Sequence, residues 1–519
     1  MQPDRSLVIF KSPSAASRKL VGRVLRRGRR IGRQRLGLIV GPVAAIAVFV
    51  AMPQIQPAVA DFAIPDAPGA GVNAAALTAA VVVWMGLWWM FEAVPLAVTA
   101  LLPIVIFTAL GGLESTAVAA PYANPVVFLF LGGFVLAIAM QRWQLHRRIA
   151  LTVLRFSGTR PSRLVLGFMI ATALISMWVS NTATAVMMLP IGSSVLATLS
   201  ARRGRTDRKL SASLMLGIAY AATIGSFGTI IASPPNALLV GYLSATRGIH
   251  IGFAQWMAVG VPLSIVFLAV TWLVLTRIIF RTSNEPIPGE KSLIRDELDR
   301  LGPITRAEVR VIVIFALTAL CWVVLPLVWR SSPLTDEVIA VLALFALFLT
   351  PSGEERGVRL LQWSDTKDLP WGILLLFGGG LALAARITSS GLGEWIGERA
   401  SGAQVLPGFL IIMVICALTL LLTEFMSNTA AAATLLPIMG GVAISIGADP
   451  LLFTVPVALT AACTFMMPAA TPPNAIAISS GYVKVPQMFR AGAPLSALTI
   501  VLIPLTIATL GHLFLGIDL

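Results

Sequence analysis

Along this chain apolar residues come in long unbroken blocks from residue 37 to the end, parted by short clusters of Arg, Asp, Gly and Pro. A bilayer core about 30 Å thick takes roughly 20 apolar residues as a helix, and inside hydrocarbon only helices and closed barrels satisfy the backbone. The blocks lack the alternation of barrel strands, so they predict helices. Candidate spans are 37–55, 75–91, 93–111, 124–141, 210–243, 253–277, 311–329, 336–350, 370–387, 450–481 and 493–516. Two further stretches, 163–200 and 405–447, are interrupted in their middles by Ser-Asn-Thr. The expected fold is an all-α polytopic membrane protein with about eleven transmembrane helices and these two interrupted stretches.

Composition agrees: of 519 residues, 57% are hydrophobic and 12% charged, too few charges to cover a soluble domain of this size. The net charge of +15 is uneven, since residues 1–35 hold eleven Arg and Lys against Asp4 and so supply +10 of it. A basic tail (1–36) directly before a first span orients the protein and touches anionic lipid; it is not read as a nucleic-acid arm. The span after it is full length, so a cleavable secretory signal is not expected. Cys321, Cys416, Cys463, His146, His250 and His512 stand singly, with no metal-ligand spacing and no nucleophile–base set. A membrane-embedded enzyme is therefore disfavoured.

Loop charge gives the topology. Arg142, Arg147, Arg148, Arg155, Arg160 and Arg163 precede the stretch 163–200, and Arg202, Arg203, Arg205, Arg208 and Lys209 follow it. The positive-inside rule puts both ends in the cytoplasm. The stretch 405–447 is preceded by a weakly charged loop and followed by Gly447-Ala448-Asp449-Pro450, so both its ends read as outside. Each stretch is either two full spans or one re-entrant hairpin. Polar turns at Ser180-Asn181-Thr182 and Ser427-Asn428-Thr429 favour hairpins, because at a membrane surface they would need no special residues. The amino terminus is then cytoplasmic and the carboxyl terminus outside, in the inner (plasma) membrane.

The two halves echo each other in order. Phe130-Leu131-Gly132-Gly133 matches Leu376-Phe377-Gly378-Gly379, and Ser180-Asn181-Thr182-Ala183 matches Ser427-Asn428-Thr429-Ala430. Ser233-Pro234-Pro235-Asn236 matches Thr471-Pro472-Pro473-Asn474. After a first helix and outer loop (37–74), a first repeat (75–281) with hairpin 163–200 and a second (306–519) with hairpin 405–447 flank a cytoplasmic linker, 282–305. Five spans per repeat invert the second relative to the first, the pattern of secondary transporters that bind substrate at matching breaks.

Pro-Pro is expected to stop each helix, leaving 232–236 and 470–474 unwound in mid-membrane. Carbonyl, hydroxyl and Asn oxygens there suit a weakly bound alkali cation, and helix-start amides suit a carboxylate. Two such sites across a pseudo-two-fold ask for a small molecule with two carboxylates. Glu92 reads as a boundary residue, Glu424 either carries a proton or pairs locally, and Met187 and Met188 read as packing.

With Glu92-Ala93-Val94-Pro95, Thr99-Ala100-Leu101-Leu102-Pro103, the paired Ser-Asn-Thr tips and the paired Pro-Pro-Asn, the chain resembles the divalent anion/sodium symporter family from about residue 74 onward. The resemblance implies a homodimer with a scaffold part and a mobile transport part that works as an elevator, and sodium ions as the coupling partner. It implies one sodium held by Ser176, Ser180, Asn181 and the carbonyl of Ala232. A second sodium falls to Thr423 and Asn428 with backbone oxygens near Met426 and Ala470. It implies a dicarboxylate bound by Asn181, Thr182, Ser427, Asn428 and Thr429, with Ser233, Pro234, Thr471 and Pro472 lining the loops. Ala232 stands where the family often has Gly. The expected activity is sodium-coupled uptake of C4-dicarboxylates such as succinate, malate or fumarate; sodium-independent exchange, or citrate or sulfate as substrate, are the alternatives.

Overall fold

The computed structural model describes residues 32, 34–52, 73–158, 160–203, 207–283, 285, 290–329, 332–399, 407–468 and 470–517. Expectations for most of the basic tail, the outer loop 53–72, and parts of the linker and of the loop before residue 407 lie outside the described residues. Within them the regular structure is helical, with one isolated bridge between Pro351 and Arg359.

Among the described residues eight helices are long and apolar enough to cross a membrane: Gln34–Met52, Ala74–Phe91, Ser115–Arg142, Asn181–Ala201, Phe253–Ile279, Arg306–Val328, Trp371–Ser389 and Val485–Leu515. Their ends are set by local chemistry. Asn73 accepts from Ala76 N at 2.9 Å to start one helix, and Glu92 closes it in the left-handed region at φ 49°. Thr305 and Glu308 form a reciprocal capping pair at the start of Arg306–Val328 (3.1 and 2.8 Å).

Each half runs through the same series. In the first, Pro125–Arg142 is followed by hairpin arms Pro161–Ser176 and Asn181–Arg203, then Arg208–Gly225, a loop at 226–233, Pro234–Arg247 and Phe253–Leu273. In the second, Trp371–Ser389 is followed by arms Gly408–Thr423 and Asn428–Ser445, then Pro450–Ala461, a loop at 462–471, Pro472–Ser479 and Val485–Thr506. Arg208–Gly225 and Pro450–Ala461 are buried almost throughout, each packed against both arms of its own hairpin. The halves interlock at the breaks. Pro234–Arg247 packs on Asn428–Ser445 and Pro450–Ala461, while Pro472–Ser479 packs on Arg208–Gly225 and Asn181–Arg203.

Three expectations shift. The unwound segments lie ahead of Pro-Pro rather than across it, because Pro234-Pro235 and Pro472-Pro473 take the first two helical positions. There the missing N–H is no loss and the fixed φ helps, so Pro starts the next helix instead of ending the last. The block 93–111 is divided into Leu96–Thr99 and Leu102–Ala109, with Pro95 and Pro103 at their starts. The basic loop before the first hairpin holds an amphipathic helix, Leu145–Arg155, tied to the linker helix Glu290–Arg300 by Arg147–Glu297 (2.8 Å) and to Glu308 by Arg148 (2.9 Å).

The first arms, Pro161–Ser176 and Gly408–Thr423, have 16 residues each. At 1.5 Å per residue that is about 24 Å, short of a full span. A re-entrant first hairpin predicts one sidedness for both its flanks. With Cys321, Cys416 and Cys463 replaced, single cysteines at the exposed positions Arg160 and Arg208 are expected to react with an impermeant maleimide from the same face of the membrane. Labelling from opposite faces would overturn the hairpin.

Candidate cation and anion site at the hairpin elbows

Each first arm ends in a hydroxyl turned onto the buried helix behind it. Ser176 Oγ donates to Ala222 O, and Thr423 Oγ1 lies 2.9 Å from both Ala461 O and Asn428 Oδ1. The next residue ties the elbow to the unwound loop of its own half. In the first half Thr229 Oγ1 donates to Met177 O, and the Met177 side chain lies against Gly228. In the second half that position is Glu424, whose Oε1 accepts from Met466 N at 3.3 Å while Oε2 is buried without a hydrogen-bond partner.

The loops themselves are a question of where backbone groups go. In 226–233, Ser226 O and Thr229 O each accept from Asn236 Nδ2 at 3.0 Å, and Phe227 O accepts from Trp256 Nε1 at 2.9 Å. In 462–471, Thr464 O and Met467 O accept from Asn474 Nδ2 at 3.1 and 3.2 Å, and Phe465 O accepts from Tyr220 Oη at 2.8 Å. Among the described residues no donor reaches the carbonyls of Ile230, Ile231, Ala232 or Ala470. The oxygens just ahead of Ser233 and Thr471 are among those left free, as are Gly228 O in the first loop and Cys463 O, Met466 O and Pro468 O in the second, among the described residues.

The remaining sequence-predicted residues fall around these elbows. Asn181 and Thr182 open the second arm of the first hairpin, with Thr182 Oγ1 3.3 Å from Asn181 Oδ1. Ser180 Oγ accepts from Ala183 N at 3.4 Å, and no hydrogen bond joins Ser176 to Asn181. Met426, Ser427 and Thr429 are half-buried at the second elbow. Ser233 and Thr471 are buried helix caps, Thr471 Oγ1 accepting from Asn474 N at 3.4 Å; Pro234 is half-buried and Pro472 exposed. Asn236 and Asn474 are not among the sequence-predicted site residues. The signal available was an Asn directly after Pro-Pro inside an apolar stretch of each half.

The segments 164–201, 210–246, 408–448 and 450–483 contain no Lys, Arg or His, and Glu424 is their one acid. What they offer is neutral: hydroxyls, amides, carbonyls and the amide ends of the helices that begin at Asn181, Pro234, Asn428 and Pro472. Such a surface holds an alkali cation through oxygens and a carboxylate through N–H and O–H.

A family model described as the sodium:sulfate symporter transmembrane region matches residues 46–517. The chain belongs to the divalent anion/sodium symporter family. The chain is 40% identical over 496 residues to the sodium-dependent dicarboxylate transporter SdcS of Staphylococcus aureus strain USA300, covering 94% of this chain and 93% of that one. The same protein of strain MRSA252 matches equally well. Family and relatives are transporters, and the chain is a multi-pass membrane transporter, not an enzyme. Two solved structures share the fold at low identity. One is the Alcanivorax borkumensis YdaH transporter (TM-score 0.52, 15% identical, 77% of this chain and 88% of that one). The other is Neisseria gonorrhoeae MtrF, from work on antimetabolite efflux pumps (TM-score 0.54, 14% identical, 80% and 85%).

Close packing behind the loops yields a stability prediction. A β-carbon at Gly260 would overlap Phe227 O, and one at Gly492 would overlap Phe465 O. Gly260→Ala and Gly492→Ala are each expected to destabilise the protein by about 1–3 kcal/mol, read as a lower thermal transition in detergent. Wild-type transitions in both would show that the loops yield freely.

Proposed function

We propose that the chain couples entry of sodium to uptake of a C4-dicarboxylate such as succinate, malate or fumarate. The observation that carries this reading is electrical: a dianion entering the elbows and loops meets no basic side chain in the four segments that build them. Two unit charges 4 Å apart attract by about 4 kcal/mol at an effective dielectric constant of 20, so bound cations are what make such a site hold a dianion. The name of the 40% identical relatives, sodium-dependent dicarboxylate transporter, supports the same choice.

In this reading the first sodium takes Ser176, Ser180, Asn181 and the carbonyl of Ala232. The second takes Thr423 and Asn428 with backbone oxygens at Met426 and Ala470. That no donor reaches the carbonyls of Ala232 and Ala470 among the described residues supports both assignments. The carboxylates meet Asn181, Thr182, Ser427, Asn428 and Thr429, beside Ser233, Pro234, Thr471 and Pro472. Transport is by an elevator motion in a homodimer seated in lipid, with a cytoplasmic amino terminus and an outer carboxyl terminus.

Asn181 and Asn428 then couple the two ligands, since an amide offers oxygen to a cation and N–H to a carboxylate. Coupling is reciprocal, and about 1–3 kcal/mol corresponds to roughly 5–150-fold. Succinate binding to purified protein is measured across a sodium titration in wild type, Asn181→Ala and Asn428→Ala. Sodium is expected to tighten succinate binding within that range in wild type, and both variants flatten the dependence. If wild type binds succinate equally well without sodium, the chain is a sodium-independent exchanger instead.

A further inference from the structure

We propose that Asn236 and Asn474 are positioning residues that set the cation affinity of the two unwound loops, an inference that rests on the sodium-coupled reading. Both occupy the third position of a helix begun by two prolines, and both are 0% exposed. Both reach back by the same steps. Asn236 holds carbonyls ten and seven residues earlier, at Ser226 and Thr229, and Asn474 holds those at Thr464 and Met467. Both leave the amide oxygen buried with no hydrogen-bond partner.

Where the two N–H groups go separates the proposal from ordinary helix glue, which joins one helix to another. Here both N–H groups face the loop of the same broken helix and none reaches a second helix. The amide is spent on two carbonyls, which are thereby turned away from any ion. Among the described residues, the oxygens of Ala232 and Ala470 are left unclaimed by any donor. Asn suits this position because it carries two donors on a short arm; Asp presents oxygens to carbonyl oxygens, and Ala presents nothing. The amide need not touch the ion: it fixes which carbonyls can.

The test uses the full-length protein, with succinate binding titrated against sodium in wild type and in Asn236→Ala, Asn474→Ala, Asn236→Asp and Asn474→Asp. Each folded variant is expected to raise the half-saturating sodium concentration by about tenfold or more, equivalent to about 1.4 kcal/mol. Its succinate affinity at saturating sodium is expected to stay within about threefold of wild type, a split that a tenfold criterion resolves. Its thermal transition without sodium is expected to fall, since two buried carbonyls lose their donors, and the upward shift that sodium produces is expected to be lost. The Asp variants keep the Asn shape, so they report even if the Ala variants fail to fold. Unchanged sodium dependence in a folded variant would overturn the proposal. So would a parallel fall in sodium affinity and saturated succinate affinity, or failure of both variants at a site to fold; each shows a merely structural role. A wild type indifferent to sodium is seen before any variant is compared, and it sinks the sodium-coupled reading itself.

Discussion

A helix broken inside a bilayer leaves backbone N–H and C=O groups without partners, in a solvent that offers none. Everything around the two breaks of this protein answers that constraint. Trp256 and Tyr220 each send a side-chain donor to a Phe carbonyl, and two asparagines each take a pair of carbonyls. Thr229 closes the first loop onto Met177. Once those claims are met, several loop carbonyls remain without a donor among the described residues, those of Ala232 and Ala470 among them. The candidate site is drawn from what remains of the backbone after the helix ends have been satisfied.

The halves answer the constraint alike in geometry but not in chemistry. Trp256, which supports Phe227 O, comes from the same half, whereas Tyr220, which supports Phe465 O, comes from the other half. Ser264 donates to Ile224 O at 2.9 Å, while Ser496, four residues beyond Gly492 as Ser264 is beyond Gly260, has no partner. At the elbows a thioether faces one loop and a carboxylate faces the other. Glu424 holds an N–H of the second loop through a carboxyl oxygen, where the first loop meets a thioether, so the two loops do not present the same surface.

Much of this was legible in the sequence. The duplicated Ser-Asn-Thr and Pro-Pro-Asn elements mark where apolar helices turn or break, because polar side chains in an apolar stretch need partners and Pro-Pro cannot sit inside a helix. The position of the breaks was misread. Pro-Pro is compatible with ending one helix or beginning the next, and only the cap at Ser233 or Thr471 decides. The amphipathic Leu145–Arg155 was hidden for another reason: its Arg residues were counted as loop charge, and charge counting does not see periodicity. The reach of Asn236 to Ser226 and Thr229 depends on how the chain curls between them, which no residue spacing states.

Gly260 and Gly492 carry a mechanical meaning. Each brings a long helix into backbone contact with a loop carbonyl, with no side chain between them to slide or flex. Such a joint transmits displacement without slack. Phe253–Leu273 and Val485–Thr506 are thereby joined to the loops they back, so that neither loop can be displaced far without its helix.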